Sequence, residues 1–132
     1  MSRRRARKQA FMVLYQSDVT GEPVEKLMAR WTLFKGELDP YARRLIHGVD
    51  ERRALLDERL EAASEGWPVW RMNAVDRTIL RLSLYEILHV EDVPFEVAVA
   101  EAKELAKGFS GEEAPAFVGG VLRGAGRLVE HG

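Results

Sequence analysis

Ala74-Val75-Asp76-Arg77-Thr78-Ile79-Leu80-Arg81-Leu82-Ser83-Leu84-Tyr85-Glu86-Ile87-Leu88 is the stretch that decides the fold. From Ile79 to Leu88, only Arg81, Ser83 and Glu86 are neither aliphatic nor aromatic. A surface helix carries one apolar stripe, whereas this one is apolar nearly all round, the pattern of a helix enclosed by others. It is too short and too charged to span a bilayer. It reads as the central helix of a small all-α domain. Asp76, Arg77 and Arg81 lie near its start, where they are expected to reach an exposed end.

Outward from this helix, the flanking segments also read as helices. After it, Glu91-Asp92-Val93-Pro94 breaks the chain, and a helix from about Pro94 to Phe109 points Val97, Ala98, Ala102, Leu105 and Ala106 inward. Ser110 to Pro115 is a turn. The last helix carries Phe117, Val118, Val121, Leu122, Ala125 and Val129 at helical spacing. Before the central helix, Trp67-Pro68 forces an extended or turn conformation. Val69, Trp70 and Met72 then form a short helical turn expected to pack on the central helix.

Further back, one long helix is expected from the Asp39-Pro40 cap to about Gly66, with Tyr41, Leu45, Val49, Leu56 and Leu60 on its apolar face. Gly48 marks a bend or a close helix crossing within it. A helix from Pro23 to Lys35 carries Val24, Leu27, Met28, Trp31 and Phe34 in the i, i+3, i+4, i+7 pattern. The first helix is capped by Ser2 and runs to about Val19, with Ala6, Ala10, Phe11, Val13 and Leu14 on its apolar face. No strand-like alternation of convincing length is present.

The 132 residues suit one compact domain, 1–132, with a core that needs no staples. There are no cysteines. Disulfides and thiolate metal sites are therefore excluded, and a reducing cytoplasm fits. No signal peptide or membrane span is expected. Five of the 20 basic residues, Arg3, Arg4, Arg5, Arg7 and Lys8, fall in the first eight positions without an acidic one, and the other 15 face 21 acidic residues. The chain thus opens with a cationic patch on an acidic body, an arrangement that favours a polyanion. The patch runs without a break into an amphipathic helix, which would hold some of these side chains on one face.

Chemistry of other kinds is not signalled. His47, His89 and His131 are far apart, and none has a second ligand at i+3 or i+4. No serine lies in a nucleophile elbow. The glycines near 119–126 lack the spacing and the Lys-Ser/Thr of a phosphate loop. No catalytic constellation and no cofactor or metal site is expected. Recognition remains: cations for phosphates, and Tyr15, Phe109 or Phe117 either for stacking on unpaired bases or for the core.

Several segments together resemble one family. Arg3-Arg4-Arg5-Ala6-Arg7, then Ala10 and Leu14-Tyr15, resembles the opening of the NusB family of bacterial transcription antitermination factors. Val75-Asp76-Arg77, Ile79-Leu80-Arg81 and Leu84-Tyr85-Glu86 resemble its central helix. Asp92-Val93-Pro94, Val97-Ala98-Val99, Glu101-Ala102 and Glu104-Leu105-Ala106-Lys107 resemble the next helix, and Phe117-Val118 with Gly120-Val121-Leu122 the start of the last. The likeness covers nearly the whole chain in order. It implies about seven helices in two small packed bundles and no enzymatic activity. It also implies binding to boxA-type single-stranded RNA of ribosomal RNA leaders, jointly with NusE, a small-subunit ribosomal protein. Other Nus factors and RNA polymerase would then be reached indirectly.

By position, the RNA surface implied would include Arg3, Arg4, Arg5, Arg7, Lys8, Tyr15, Phe109, Glu113 and Phe117, and the NusE surface Asp76, Arg77 and Arg81. If all five basic residues met phosphates, log K would fall against log salt with a slope of about −3.5, from roughly −0.7 per contact. Two positions where the family carries asparagine hold Ala100 and Gly119, and Glu113 stands where aspartate is common. An amide that capped a turn or touched RNA would be missing here.

Two alternatives stay open. The same module forms the RNA-binding part of some ribosomal RNA cytosine methyltransferases, although 132 residues leave no room for a methyl-transfer domain. A helical protein-interaction module without RNA affinity of its own would leave the arginines as a solvated end. The apolar faces are extensive enough to leave a homodimer open as well.

Overall fold

Among the described residues, seven α-helices follow one another in the order α1 Arg3–Thr20, α2 Val24–Lys35, α3 Pro40–Glu51, α4 Arg53–Ala63, α5 Ala74–His89, α6 Phe95–Phe109 and α7 Ala114–His131. A 3-10 turn, Val69–Arg71, precedes α5. The computed structural model describes residues 2–131, with side chains to residue 126. The side chains of Val129 and His131 lie outside the described residues. No strand occurs among the described residues.

Local chemistry sets the helix ends. The Ser2 hydroxyl accepts from the Arg5 amide at 3.3 Å, which satisfies one orphan donor at the start of α1. Gly21 closes α1 in a left-handed conformation, φ 78°, which only glycine adopts without penalty. Asp39 caps α3 by accepting from the Tyr41 amide at 2.7 Å, and Pro40 fills the first turn. Asn73 caps α5: its Oδ1 accepts from the Asp76 amide at 2.8 Å, and its Nδ2 donates to Asp76 Oδ2 at 3.0 Å.

Helices α1, α2 and α3 form one bundle and α4, α6 and α7 pack into another, with α5 between, touching α1, α3, α4, α6 and α7. The enclosure read from the apolar stretch is observed: every residue from Thr78 to Glu86 is buried. The core around α5 is aliphatic, built from Leu45, Ile46, Leu56, Leu60, Ile79, Leu80, Leu82, Leu84 and Leu122.

Several expectations are corrected. The long helix from Asp39 is two helices, broken at Arg52 (φ −113°, ψ 16°), whose amide is shared between the carbonyls of Gly48 and Val49. Gly48 is the close crossing, not the bend: a Cβ there would collide with the Tyr85 ring. Phe34 and Val97 are exposed, because no helix covers those sides of α2 and α6. Trp70, 74% exposed, does not pack on α5; its neighbours Val69 and Met72 are buried, and the turn sits mainly against α4. Ala100 and Gly119 sit inside α6 and α7, so an asparagine at either position would not cap a turn.

Candidate nucleic-acid interface

Helix α1 sorts its basic residues by periodicity. Arg4, Lys8, Met12 and Tyr15 fall at i, i+4, i+8 and i+11, a single stripe on one side of the helix. Arg3, Arg7, Ala10 and Leu14 fall on a neighbouring stripe that faces α3 and α5. The difference decides what each cation can do.

Arg7 is the clearest correction. It is 5% exposed, and its Nε donates to both oxygens of Glu86 at 2.8 and 3.0 Å. Glu86 is itself 1% exposed and also accepts from the Tyr41 hydroxyl. Burial and the adjacent carboxylate push the Tyr41 hydroxyl well above its ordinary pKa, so it stays a donor. A guanidinium 5% exposed and held by Glu86 is not available to a phosphate, and Arg7 instead joins α1 to α5 and α3. Burial weighs most against the Arg7 charge, but the Glu86 hydrogen bonds and the attraction of Glu86, Tyr41 and Glu101 together outweigh it and raise its pKa.

The other cations of α1 reach solvent. Arg4 forms a two-pronged pair with Glu101 of α6 at 2.9 and 3.1 Å. Arg3 does the same with Asp92 at 3.0 and 3.2 Å and lies 4.4 Å from the centre of the Tyr41 ring. Arg5 and Lys8 are exposed and make no ion pair among the described residues. Arg4, Arg7 and Lys8 border a cleft of about 480 Å³, closed on the other side by Glu101, Glu104, Leu105, Lys107, Gly108 and Phe109.

An aromatic row continues from this cleft. Phe109, about half exposed, stands 4.8 Å from the Phe11 ring, and Phe11 stacks on Tyr15 at 5.8 Å with 19° between the planes. Tyr15 and Phe109 flank a groove of about 330 Å³ that Met12, Gln16 and Val75 complete. Cations and accessible rings therefore share one side of the molecule, where α1 meets the end of α6.

Beyond Phe109, the loop from Ser110 to Glu113 and the start of α7 enclose a third hollow of about 420 Å³, with Asn73, Asp76 and Phe117 on its walls. Glu113 and Phe117 are exposed. Asp76 is only 7% exposed, and its Oδ1 is buried without a hydrogen-bond partner. The expectation that Asp76, Arg77 and Arg81 lie on an exposed helix start is thus corrected for all three. Arg81 donates to Asp57 at 2.7 and 3.0 Å and to Asp18 at 3.0 Å. Arg77 donates to Asp18 at 2.6 and 2.8 Å and to the carbonyls of Trp70 and Met72. Burial alone would raise the Asp18 carboxyl, but Arg77 and Arg81 hold it below its ordinary pKa. This network ties the end of α1 to α4 and α5, and every nitrogen of both guanidiniums donates within it.

Glu86, Tyr41 and Asp18 were given no partner by the sequence, and Asp57, which reads there with Glu58 and Glu61 as a solvated helix face, instead accepts from Arg81. Two signals were available. Glu86 is the one acid in a buried run, and such an acid requires a buried donor. Arg7 stands three residues from Ala10 and seven from Leu14, both on the apolar face. Among the described residues, no group of His, Cys, Asp and Glu could hold a metal ion, and no helix is long and apolar enough to cross a membrane.

The fold and this surface define a class: a small all-α protein built round an enclosed helix, with a basic and aromatic edge where α1 meets α6. The NusB family model matches residues 4–127, and the chain belongs to that family. It is 71% identical to the transcription antitermination protein NusB of Rubrobacter xylanophilus over 95% of this chain and 90% of that one. The corresponding protein of Thermobifida fusca is 42% identical over 98% of this chain and 89% of that one. Among solved structures, NusB of T. maritima superposes with a TM-score of 0.86 at 32% identity, covering 96% of this chain and 92% of that one. A complex described as antitermination factors NusB and NusE with dsRNA superposes with a TM-score of 0.85 at 27% identity, covering 97% and 99%. The family is one of non-catalytic antitermination factors.

Proposed function

We propose that this protein binds boxA-type single-stranded RNA of ribosomal RNA leaders jointly with NusE, and that the pair links other Nus factors and RNA polymerase in the cytoplasm to suppress premature termination. The observation that carries this reading is the single stripe of exposed Arg4 and Lys8 and half-buried Met12 and Tyr15 running into Phe109. Cations on such a stripe take phosphates, and rings beside them take unpaired bases, each stack contributing about 1–3 kcal/mol. Arg4 can exchange Glu101 for a phosphate at little cost, since an exposed pair contributes about 0–1 kcal/mol. The related NusB chain found in a complex with NusE and dsRNA supports the same pair of partners.

The RNA surface so proposed holds Arg3, Arg4, Arg5, Lys8, Tyr15, Phe109, Glu113 and Phe117. For the NusE side, the hollow at the start of α5 is the proposed contact: its exposed Glu112 and Glu113 fit a lysine or an arginine of a protein partner, with the buried Asp76 on the wall behind them. Arg77 and Arg81 act there only by holding the start of α5 in place.

Binding of a fluorescent boxA-type RNA against a scrambled control, with and without NusE, tests the reading. Preference for boxA that NusE strengthens supports it. Equal weak binding of both RNAs, unmoved by NusE, rejects it. A protein-interaction module without RNA affinity is the second reading, favoured by the carboxylates that already pair with Arg3, Arg4 and Arg7. It predicts NusE capture that persists after nuclease treatment, with no RNA retained beforehand.

A further inference from the structure

A second set of arginines lies away from the α1 stripe, round the C-terminal end of α5. Arg44 of α3 donates to the His89 carbonyl at 3.0 Å. Arg52, at the α3–α4 junction, lies 5.8 Å from the centre of the Tyr85 ring, and that ring lies 5.1 Å from the His89 ring. Arg59 is two helical turns beyond Arg52 on the same side of α4. Burial, and then the charges of Arg52 and Arg59, lower the pKa of His89. Three arginines from two helices and their junction thus converge on one histidine.

Their charge is poorly balanced. Among the described residues, Arg44 and Arg59 make no ion pair, and the only carboxylate near Arg52 is its neighbour Glu51 at 3.6 Å. The C-terminus of α5 offers roughly half a negative charge to the group. Arg59 Nε and His89 Nε2 are both buried without a hydrogen-bond partner. Arg44 is exposed and Arg52 and Arg59 are half-buried, so three cations with a single carboxylate within ion-pair distance line this end of α5, an arrangement that suits an anion.

We propose that Arg44, Arg52 and Arg59 form a second phosphate track, which takes RNA flanking the segment held by α1. This rests on the RNA reading above. A nucleic acid strand is favoured over an acidic peptide by continuity with the basic end of the chain. Arg3 sits on the Tyr41 ring and pairs with Asp92, Asp92 feels the charge of Arg44, and Arg44 leads to His89 and then to Arg52 and Arg59. A strand leaving the α1 stripe at Arg3 therefore meets a further line of cations, with Asp92 beside Arg3 and Glu51 beside Arg52 as the acids along it.

The test compares a short boxA-type RNA with the same RNA carrying a flanking extension, across a salt series. The proteins are the parent and the variant R44Q/R52Q/R59Q, whose glutamines keep part of each stem. Three contacts at roughly −0.7 each predict that raising salt from 50 to 200 mM costs the parent about 20-fold more affinity for the extended RNA than it costs the variant. Both proteins should bind the short RNA alike. If the triple variant melts early, R52Q alone should show about one third of the slope change.

Equal slopes on the extended RNA, with the short RNA still bound, overturn the track and leave the α1 surface standing. Loss of short-RNA binding by the parent itself overturns both. Binding of poly-aspartate that the variant loses, without any change on extended RNA, assigns the cluster to an acidic protein instead and overturns the proposal.

Discussion

Replacing Arg7 by alanine separates a structural arginine from a recognition one. The guanidinium faces Glu86, which is almost fully buried and would keep only the Tyr41 hydroxyl as a donor. Removing one partner of a buried ion pair costs about 3–5 kcal/mol, because the other charge stays uncompensated. The remaining tyrosine hydrogen bond puts Arg7→Ala near the lower end, about 3 kcal/mol. Urea unfolding followed by helical circular dichroism measures this as a lower midpoint at constant m. On RNA, the folded variant should keep the parent's salt slope. Removing all three polar groups together, in Arg7→Met/Tyr41→Phe/Glu86→Leu, should recover most of the loss, since an apolar replacement of a buried pair is commonly near neutral. The reasoning is refuted if Arg7→Ala stays within about 0.5 kcal/mol of the parent while its salt slope flattens by roughly 0.7.

Asp18 gives a pH signature. Its folded pKa lies below the unfolded value of about 3.9. The stability it contributes is therefore complete above the unfolded value and lost as pH falls through the folded one. Asp18→Asn should cost about 1.5–3 kcal/mol at pH 7 and flatten the acid limb of the stability curve; an unchanged limb argues against the Arg77–Asp18–Arg81 network. Gly48→Ala should destabilise by about 1–3 kcal/mol through overpacking against Tyr85. Gly120→Ala, with open space round the new methyl, should stabilise by about 0.5–1 kcal/mol, so thermal melts of the two should move in opposite directions.

The parts of the fold legible in the sequence are those that local chemistry determines. Ser2, Gly21, Asp39 and the residues after Pro94 mark helix ends because their side chains or torsions act within one turn. The enclosure of α5 was legible because an all-round apolar helix has no other stable place. The exposure of Phe34, Val97 and Trp70 was not, since periodicity identifies an apolar face without saying whether a neighbour covers it. The break at Arg52 carries no proline or glycine and arises from how α3 and α4 each pack.

For the candidate site, Arg4, Lys8, Tyr15 and Phe109 come together as the sequence implied. Arg7 did not, although its spacing from Ala10 and Leu14 pointed inward; its partner is 79 residues away, and no local pattern links them. Arg77 and Arg81 were misplaced for a related reason: Asp18 and Asp57 reach them only once the helices have packed. The expected salt slope changes accordingly. Removing Arg7 from the RNA surface leaves four cations on α1, and the limit falls from about −3.5 to about −2.8.

The most direct measurement is that slope, for boxA-type RNA in the presence of NusE, in the parent and in Arg5→Ala/Lys8→Ala. Arg5 and Lys8 are exposed and make no ion pair among the described residues, so their removal leaves the fold intact. The account predicts a parent slope no steeper than about −2.8 from α1 with short RNA, flattened in the variant by roughly 1.4, with weaker binding. An identical slope and affinity in the two proteins would contradict it and remove α1 from the RNA surface.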